Sequence, residues 1–240
     1  MNKKYSLLSI LLYININAIE HQEAWNKKIY SISTSATKTA QIILEKGNII
    51  DCQAQILVNA ANRRLMPGSG IAKVIFEAAG RDQLKEACQA LPECPPGNAC
   101  ITQSFNLASK GVDFIIHTVG PDCRSIHDTD EQDMLLSNAY NNALKLTNGL
   151  NATSIAFPFL SSGNYLFPKE RAATIALDTI ISYLKTASCQ LTTVHFALYS
   201  YDDFELFERI LPQVLADQTK RSSSIREKFY NAIAKLLPLK

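Results

Sequence analysis

The residues best placed to do chemistry in this 240-residue chain are uncharged. Asn59 and Asn62 close the stretch Ile56-Leu57-Val58-Asn59-Ala60-Ala61-Asn62, and Pro67-Gly68-Ser69-Gly70-Ile71 follows. Three apolar β-formers in a row read as a strand buried on both faces. A strand that ends at carboxamides and feeds a glycine turn at a helix start makes a site for an anion. The turn amides are unpaired, the helix dipole favours negative charge, and glycine lets a phosphate approach the backbone. Asparagine offers a donor and an acceptor without titrating, which suits ribose hydroxyls. The chemistry is that of a phosphate-bearing nucleotide or nucleotide sugar.

Asn62 comes directly after the strand, at the carboxyl end where open α/β sheets bind ligands. Its bland alternative is a turn residue, since asparagine tolerates left-handed backbone. Asn59 points to the other side by strand alternation and reads as a residue tying loops together. His117, inside Ile115–Val119, reads as a satisfied core histidine, and His127 as a surface-loop residue. No Ser/His/Asp or Cys/His grouping at useful spacing emerges, so covalent catalysis has no support. The cysteines, Cys52, Cys88, Cys94, Cys100, Cys123 and Cys189, lack paired C-x-x-C spacing, and no histidine lies near the evenly spaced Cys88, Cys94 and Cys100. They read as small buried apolar residues, so neither a metal nor a cofactor is expected. Disulfides stay open for an exported chain, but spacing cannot pair them.

The elements that must position these residues alternate between strand and helix. A strand at Gln41–Glu45 ends at Gly47, and the buried strand spans 54–59. Ile71, Val74, Ile75 and Ala78 fall on one helical face, ended by Gly80 as a C-cap. Leu84, Ala87, Cys88 and Leu91 repeat that spacing before Pro92. Strands are expected at Ala99–Phe105 and Val112–Val119. Thr129-Asp130-Glu131-Gln132 has capping-box spacing and opens a long helix closed by Gly149. A strand at Ser154–Phe159 leads into Ser161-Ser162-Gly163. A helix beginning near Pro168 buries Ala173, Ala176, Leu177, Ile180 and Leu184, and a strand at Thr193–Tyr199 precedes a short helix from Asp202. This alternation predicts a largely parallel sheet covered on both faces.

Val58-Asn59-Ala60-Ala61-Asn62, Gly68-Ser69-Gly70-Ile71, Ala78-Ala79-Gly80, Ile116-His117-Thr118-Val119-Gly120-Pro121 and Phe157-Pro158-Phe159-Leu160-Ser161-Ser162-Gly163 stand in the order and context of a macrodomain. The chain resembles that family over about residues 40 to 215. The resemblance implies an α/β fold of three layers, α/β/α, with a central mixed, largely parallel sheet. It also implies binding of ADP-ribose or an ADP-ribosylated protein, and hydrolysis of mono-ADP-ribose from proteins or of O-acetyl-ADP-ribose. Asn62 matches the asparagine that holds the distal ribose, and is the expected catalytic residue. Gly68, Ser69, Gly70 and Ile71 would form one phosphate loop, and Ser161, Ser162, Gly163, Asn164 and Tyr165 a second. Each loop amide donates to a diphosphate without adding net charge. Tyr165 matches an aromatic that packs on the distal ribose, and Asn48, Ile49 and Ala60 complete the expected ligand contacts.

Three positions depart from the family pattern. Gly47-Asn48-Ile49-Ile50 replaces Gly-Asp-Ile-Thr, so Asn48 removes a carboxylate that accepts from the adenine amino group, and weaker adenine selectivity is expected. Ala72 stands where related hydrolases carry an aspartate, which leaves a substrate phosphate to assist the attacking water. Leu166 replaces the second glycine of the serine loop and is expected to reshape the pocket rim. The alternatives to a hydrolase are a reader that binds ADP-ribose without chemistry, and an RNA- or poly(ADP-ribose)-binding module using the basic tail.

The formal net charge of +2 exerts no strong pull toward nucleic acid or membrane. A monomer is expected. Lys3 and Lys4, the apolar run Tyr5–Ile14 and the small Ala18 have the form of a secretory signal over residues 1–18, with a packed N-terminal helix or strand as the alternative. Export follows from the first reading and a cytoplasmic location from the second. Residues 19–40 read as an N-terminal extension with Ser31–Thr37 as a linker or edge segment, 41–215 as the macrodomain, and 216–240 as an amphipathic helix capped by Ser224.

Overall fold

Ile56, Leu57 and Val58 are completely buried, as a strand covered on both faces requires. In the computed structural model, which describes residues 26–35 and 37–236, they belong to β3 (Ile56–Ala60). Around it lie β1 (Lys27–Ser33), β2 (Thr39–Lys46), β4 (Ala99–Gln103), β5 (Phe114–Thr118), β6 (Ser154–Pro158) and β7 (Thr193–Leu198). The sheet order is β1-β2-β7-β6-β3-β5-β4. The β1–β2 and β5–β4 pairs at its two edges are antiparallel, and the other pairs are parallel. The expected mixed, largely parallel sheet is what forms.

Side-chain alternation along the strands divides the core in two. Ile56 and Val58 face a cluster shared with α3 (Thr129–Gly149), α4 (Lys169–Leu184) and α5 (Tyr201–Leu236). Leu57 faces the other cluster, with α1 (Gly70–Ala79) and α2 (Arg81–Gln89). Helices on both faces make three layers. The stripe Ala173, Ala176, Leu177, Ile180 and Leu184 of α4 is at most 1% exposed. Each such leucine or isoleucine stabilises the fold by about 1.5–3 kcal/mol. An aromatic chain runs through the first cluster, with ring centroids 5.1 Å apart for Tyr140–Phe157, 6.3 Å for Phe157–Phe196 and 4.7 Å for Phe196–Phe207. Its end is functional: the Tyr140 hydroxyl accepts from the Leu160 amide at 3.3 Å, anchoring the chain just before Ser161.

Several expectations change. The signal reading over 1–18 and the first part of the 19–40 extension lie outside the described residues. Within the rest of that extension, Lys27–Ser33 is β1, paired along its length with β2. Its mostly half-exposed, polar side chains carry little hydrophobic periodicity, because an edge strand buries so few of them. The cap of α3 is Asp128, one residue before the predicted Thr129, with its Oδ1 accepting from the Glu131 amide at 2.8 Å. The helix from the 201 region does not stop before residue 224; α5 runs unbroken to Leu236. Ser224 therefore caps nothing. The hydroxyls of Ser222 and Ser223 donate back to the Gln218 and Lys220 carbonyls at 2.9 and 2.8 Å, so they are satisfied without ending the helix. Gln218 and Arg221 bond Ser182 and Asp178 of α4 at 2.9 and 2.6 Å, docking this part of the helix on the domain.

Asn59 does not tie loops together. It is 1% exposed, and its carboxamide lies 3.0 Å from His117 Nδ1 on β5. Thr102 Oγ1 sits 2.9 Å from His117 Nε2. Both ring nitrogens are thus engaged inside the sheet, and burial holds the imidazole down at about 4. His117 is the satisfied core histidine that was expected.

Candidate functional site

A cleft of about 650 Å³ opens at the carboxyl ends of β3, β6 and β7, within the range of small-molecule sites. One wall is the turn between β3 and α1, contributing Asn62, Gly68, Ser69, Gly70 and Ile71. The opposite wall is the β6–α4 loop, with Ser161, Ser162, Gly163, Asn164 and Tyr165. Ala60 lines the floor, and Asn48 the far end. Two segments separated by about a hundred residues therefore meet across one cavity. Asn164 Nδ2 donates to Ser69 Oγ at 2.9 Å and ties the two loops directly.

Each loop presents unpaired backbone donors. Ser69 is the N-cap of α1, but its hydroxyl makes no cap hydrogen bond, being engaged with Asn164. The first-turn amides of α1 are then left to the cleft, at the positive end of a ten-residue helix. In the second loop, among the described residues, no protein acceptor takes the amides of Ser161, Ser162, Gly163 or Asn164. That loop is held by its carbonyls instead: Phe167 N donates to Ser161 O at 3.0 Å and Leu166 N to Gly163 O at 2.9 Å. The Ser161 hydroxyl is buried without a partner. Such a buried orphan is costly unless a ligand or water satisfies it.

Backbone strain gathers here. Ser161 and Leu166 have φ of 59° and 53°, and Gly70 has φ of 57°. Gly120, at the end of β5, is required by a close approach: a Cβ there would lie 2.1 Å from Ser161 Oγ. Leu166 does not line the cleft. It is 65% exposed, so the departure from glycine costs backbone energy without shaping the rim. Leu166→Gly should therefore raise stability by about 0.5–1 kcal/mol, since it relieves a left-handed leucine that packs on little. A urea midpoint equal to or below that of the parent would show that the position is unstrained.

Asn62 is both a wall residue and a turn residue. Its Oδ1 accepts from the Arg64 and Met66 amides at 3.1 and 3.2 Å, and its Nδ2 donates to Met66 O at 2.9 Å. One N–H remains for a ligand. Asn48 is similar: its Oδ1 accepts from Ile50 N at 3.4 Å as the cap of a short 3-10 turn, Ile49–Asp51. Ile49 is a correction. It is fully buried in the core under α1, because the turn swings its side chain inward, and it does not line the cleft.

Sequence reasoning missed Gly120, Phe159, Lys169, Tyr199 and Asp203, all in the wall. Tyr199 directly follows β7 and is 89% exposed; the rule that ligands sit at strand carboxyl ends would have found it. Ala72 is buried in the wall at 4% exposure. The charged residues lining the cleft, among those described, are Lys169 and Asp203, which pair with each other at 2.7 Å. Among the described lining residues no carboxylate stands unpaired, so what the cleft offers an anion is backbone amides rather than side-chain charge.

Comparison with known proteins agrees with this architecture. The family model described as Macro domain matches residues 58–176. An O-acetyl-ADP-ribose deacetylase of Cronobacter turicensis is 41% identical over 179 residues, covering 73% of this chain and 98% of the relative. The human ADP-ribose glycohydrolase MACROD2 is 37% identical over 172 residues, which is 71% of this chain and 39% of that protein. Among solved structures, the Oceanobacillus iheyensis macrodomain with ADP aligns at 33% identity and a TM-score of 0.71, over 80% of this chain and 98% of that one.

Proposed function

The chain belongs to the macro domain family, and from that membership we propose that it binds ADP-ribose in the cleft and hydrolyses mono-ADP-ribose from acidic side chains or O-acetyl-ADP-ribose. The observation that carries this reading is the pair of facing loops whose amides have no protein acceptors, tied together by Asn164 and Ser69. A diphosphate supplies the missing acceptors to both loops at once. The adenine then lies toward Asn48, and the distal ribose toward Asn62 and Tyr165. Asn62 uses its remaining N–H on a ribose hydroxyl. For an acidic side chain esterified at the anomeric carbon, a water attacks that carbon, the bond to the carboxylate breaks, and the water's proton passes to a substrate phosphate oxygen, since Ala72 offers none. For O-acetyl-ADP-ribose the water attacks the acetyl carbonyl instead, and the ribose hydroxyl leaves with the proton.

A second reading has its own support. With Lys169 and Asp203 paired and Ala72 apolar, the described wall holds no unpaired charged side chain, which favours a reader without turnover. Incubation with a glutamate-linked ADP-ribosylated protein and with O-acetyl-ADP-ribose decides between them. Release of product is expected; tight binding in calorimetry without release at high enzyme concentration would make the chain a reader. Absence of ADP-ribose binding would defeat both.

Asn62→Ala should weaken ADP-ribose binding about 10- to 100-fold, because one buried donor to the ligand is worth about 1–3 kcal/mol. It should also lower the melting temperature, since the 62–66 turn loses the bonds that shape it. Unchanged affinity would remove Asn62 from the site.

A further inference from the structure

On the other side of the sheet edge from α5, three side chains from separate segments converge. Glu45 comes from β2, His195 from the neighbouring β7, and Cys52 from the end of the 3-10 turn that begins after Asn48. One ligand-type atom of each lies within 4.8 Å of those of the other two. His195 Nδ1 is 3.2 Å from Glu45 Oε1. His195 is 2% exposed and Cys52 7%. The cluster is walled in, not a chance grouping on a solvated face.

Within the protein the Cys52 thiol and His195 Nδ1 both bond the Glu45 carboxylate, and one nitrogen of the cluster is left over. His195 Nε2 is fully buried and has no hydrogen-bond partner. Cys52 is a free thiol with no disulfide partner. An imidazole, a thiol and a carboxylate within one cation's reach form a mixed nitrogen, sulfur and oxygen donor set. That combination suits a borderline divalent ion such as zinc, whereas magnesium and calcium prefer oxygen alone.

We propose that Glu45, Cys52 and His195 form a zinc-type metal site that clasps β2, β7 and the turn carrying Asn48. Binding replaces the thiol proton: a Zn–S bond forms, the S–H bond breaks, and the proton goes to solvent. The Cys52 thiolate and the Glu45 carboxylate then balance the two charges of the ion, with His195 neutral. A second Glu45 oxygen or a water completes four-fold coordination. Lys27, 2.7 Å from Glu45 Oε1, opposes the cation and stays on the exposed side of the carboxylate. The site lies one step below the cleft, because Gly47, just past the end of β2, and Ala197 on β7, two residues beyond Glu45 and His195, line it. The clasp is structural: it holds the Asn48 turn against the sheet.

The test is titration of chelator-treated full-length protein with cobalt(II), followed by displacement with zinc. A thiolate-to-cobalt charge-transfer band reaching one equivalent per chain is expected. Cys52→Ser should abolish the band and weaken zinc binding at least tenfold. Cys94→Ser and Cys100→Ser, which alter two cysteines that neighbour each other by β4 at the far edge of the sheet, should leave both unchanged. Glu45→Gln, which keeps the side chain's shape, should weaken zinc binding at least tenfold while retaining the band, and it serves where Cys52→Ser fails to fold. No band in the parent protein, or a band and affinity that survive Cys52→Ser, would overturn the proposal. So would an affinity unchanged by Glu45→Gln.

Discussion

Gly70→Val is expected to weaken ADP-ribose binding by more than a hundredfold, which is about 3 kcal/mol. Gly70 forms part of the cleft wall at the first turn of α1, with φ of 57°. A Cβ there meets no protein atom within 4 Å, so the protein itself does not clash with it. The valine methyls instead take up open space beside the amides that would face the diphosphate. The left-handed backbone adds about 1–2 kcal/mol of destabilisation for any residue with a Cβ. Gly70→Ala separates the two effects: it carries the backbone cost with a smaller obstruction, and should lose less affinity for a similar drop in melting temperature. Calorimetry with ADP-ribose on both variants measures this. Normal binding by Gly70→Val would displace the first loop from the site.

Acid should destabilise the fold well before its carboxylates protonate, and His117 is the reason. Its imidazole titrates near 4 in the folded chain because burial disfavours the charged form, against 6.5 when unfolded. The unfolded chain therefore takes up a proton between pH 6.5 and 4 that the folded chain refuses. Stability is fully present above 6.5 and falls as the pH drops through that window, by roughly 3 kcal/mol in all. Glu45, held down at about 2 although burial alone would raise it, because His195, Lys27 and Cys52 hydrogen-bond its carboxylate, adds its own loss only further into acid. Urea unfolding at pH 7 and pH 4.5 should show the loss in the parent protein and a much flatter dependence in His117→Gln. Equal slopes in the two would mean that another group sets the acid limit.

The local patterns of this chain are strong where burial is continuous. Ile56-Leu57-Val58 announces a central strand, and the α4 stripe and the glycine stops announce helices, because a fully covered element must be apolar at every inward position. Asn62 and the two loops were legible because turn and phosphate chemistry depend on residues adjacent in sequence. Other features were decided only by packing. Whether Ile49 faced the ligand or the core depended on the direction of a 3-10 turn, which a three-residue segment does not encode. The unbroken α5 depended on α4 receiving Gln218 and Arg221, contacts made across a long sequence gap. Gly120 is required by Ser161 only because β5 and β6 flank β3, and Glu45 meets His195, with Cys52 beside them, only because β2 pairs with β7. Local spacing determines elements and loop chemistry, but groups far apart in the chain become neighbours only through the strand order, and tertiary structure alone sets that.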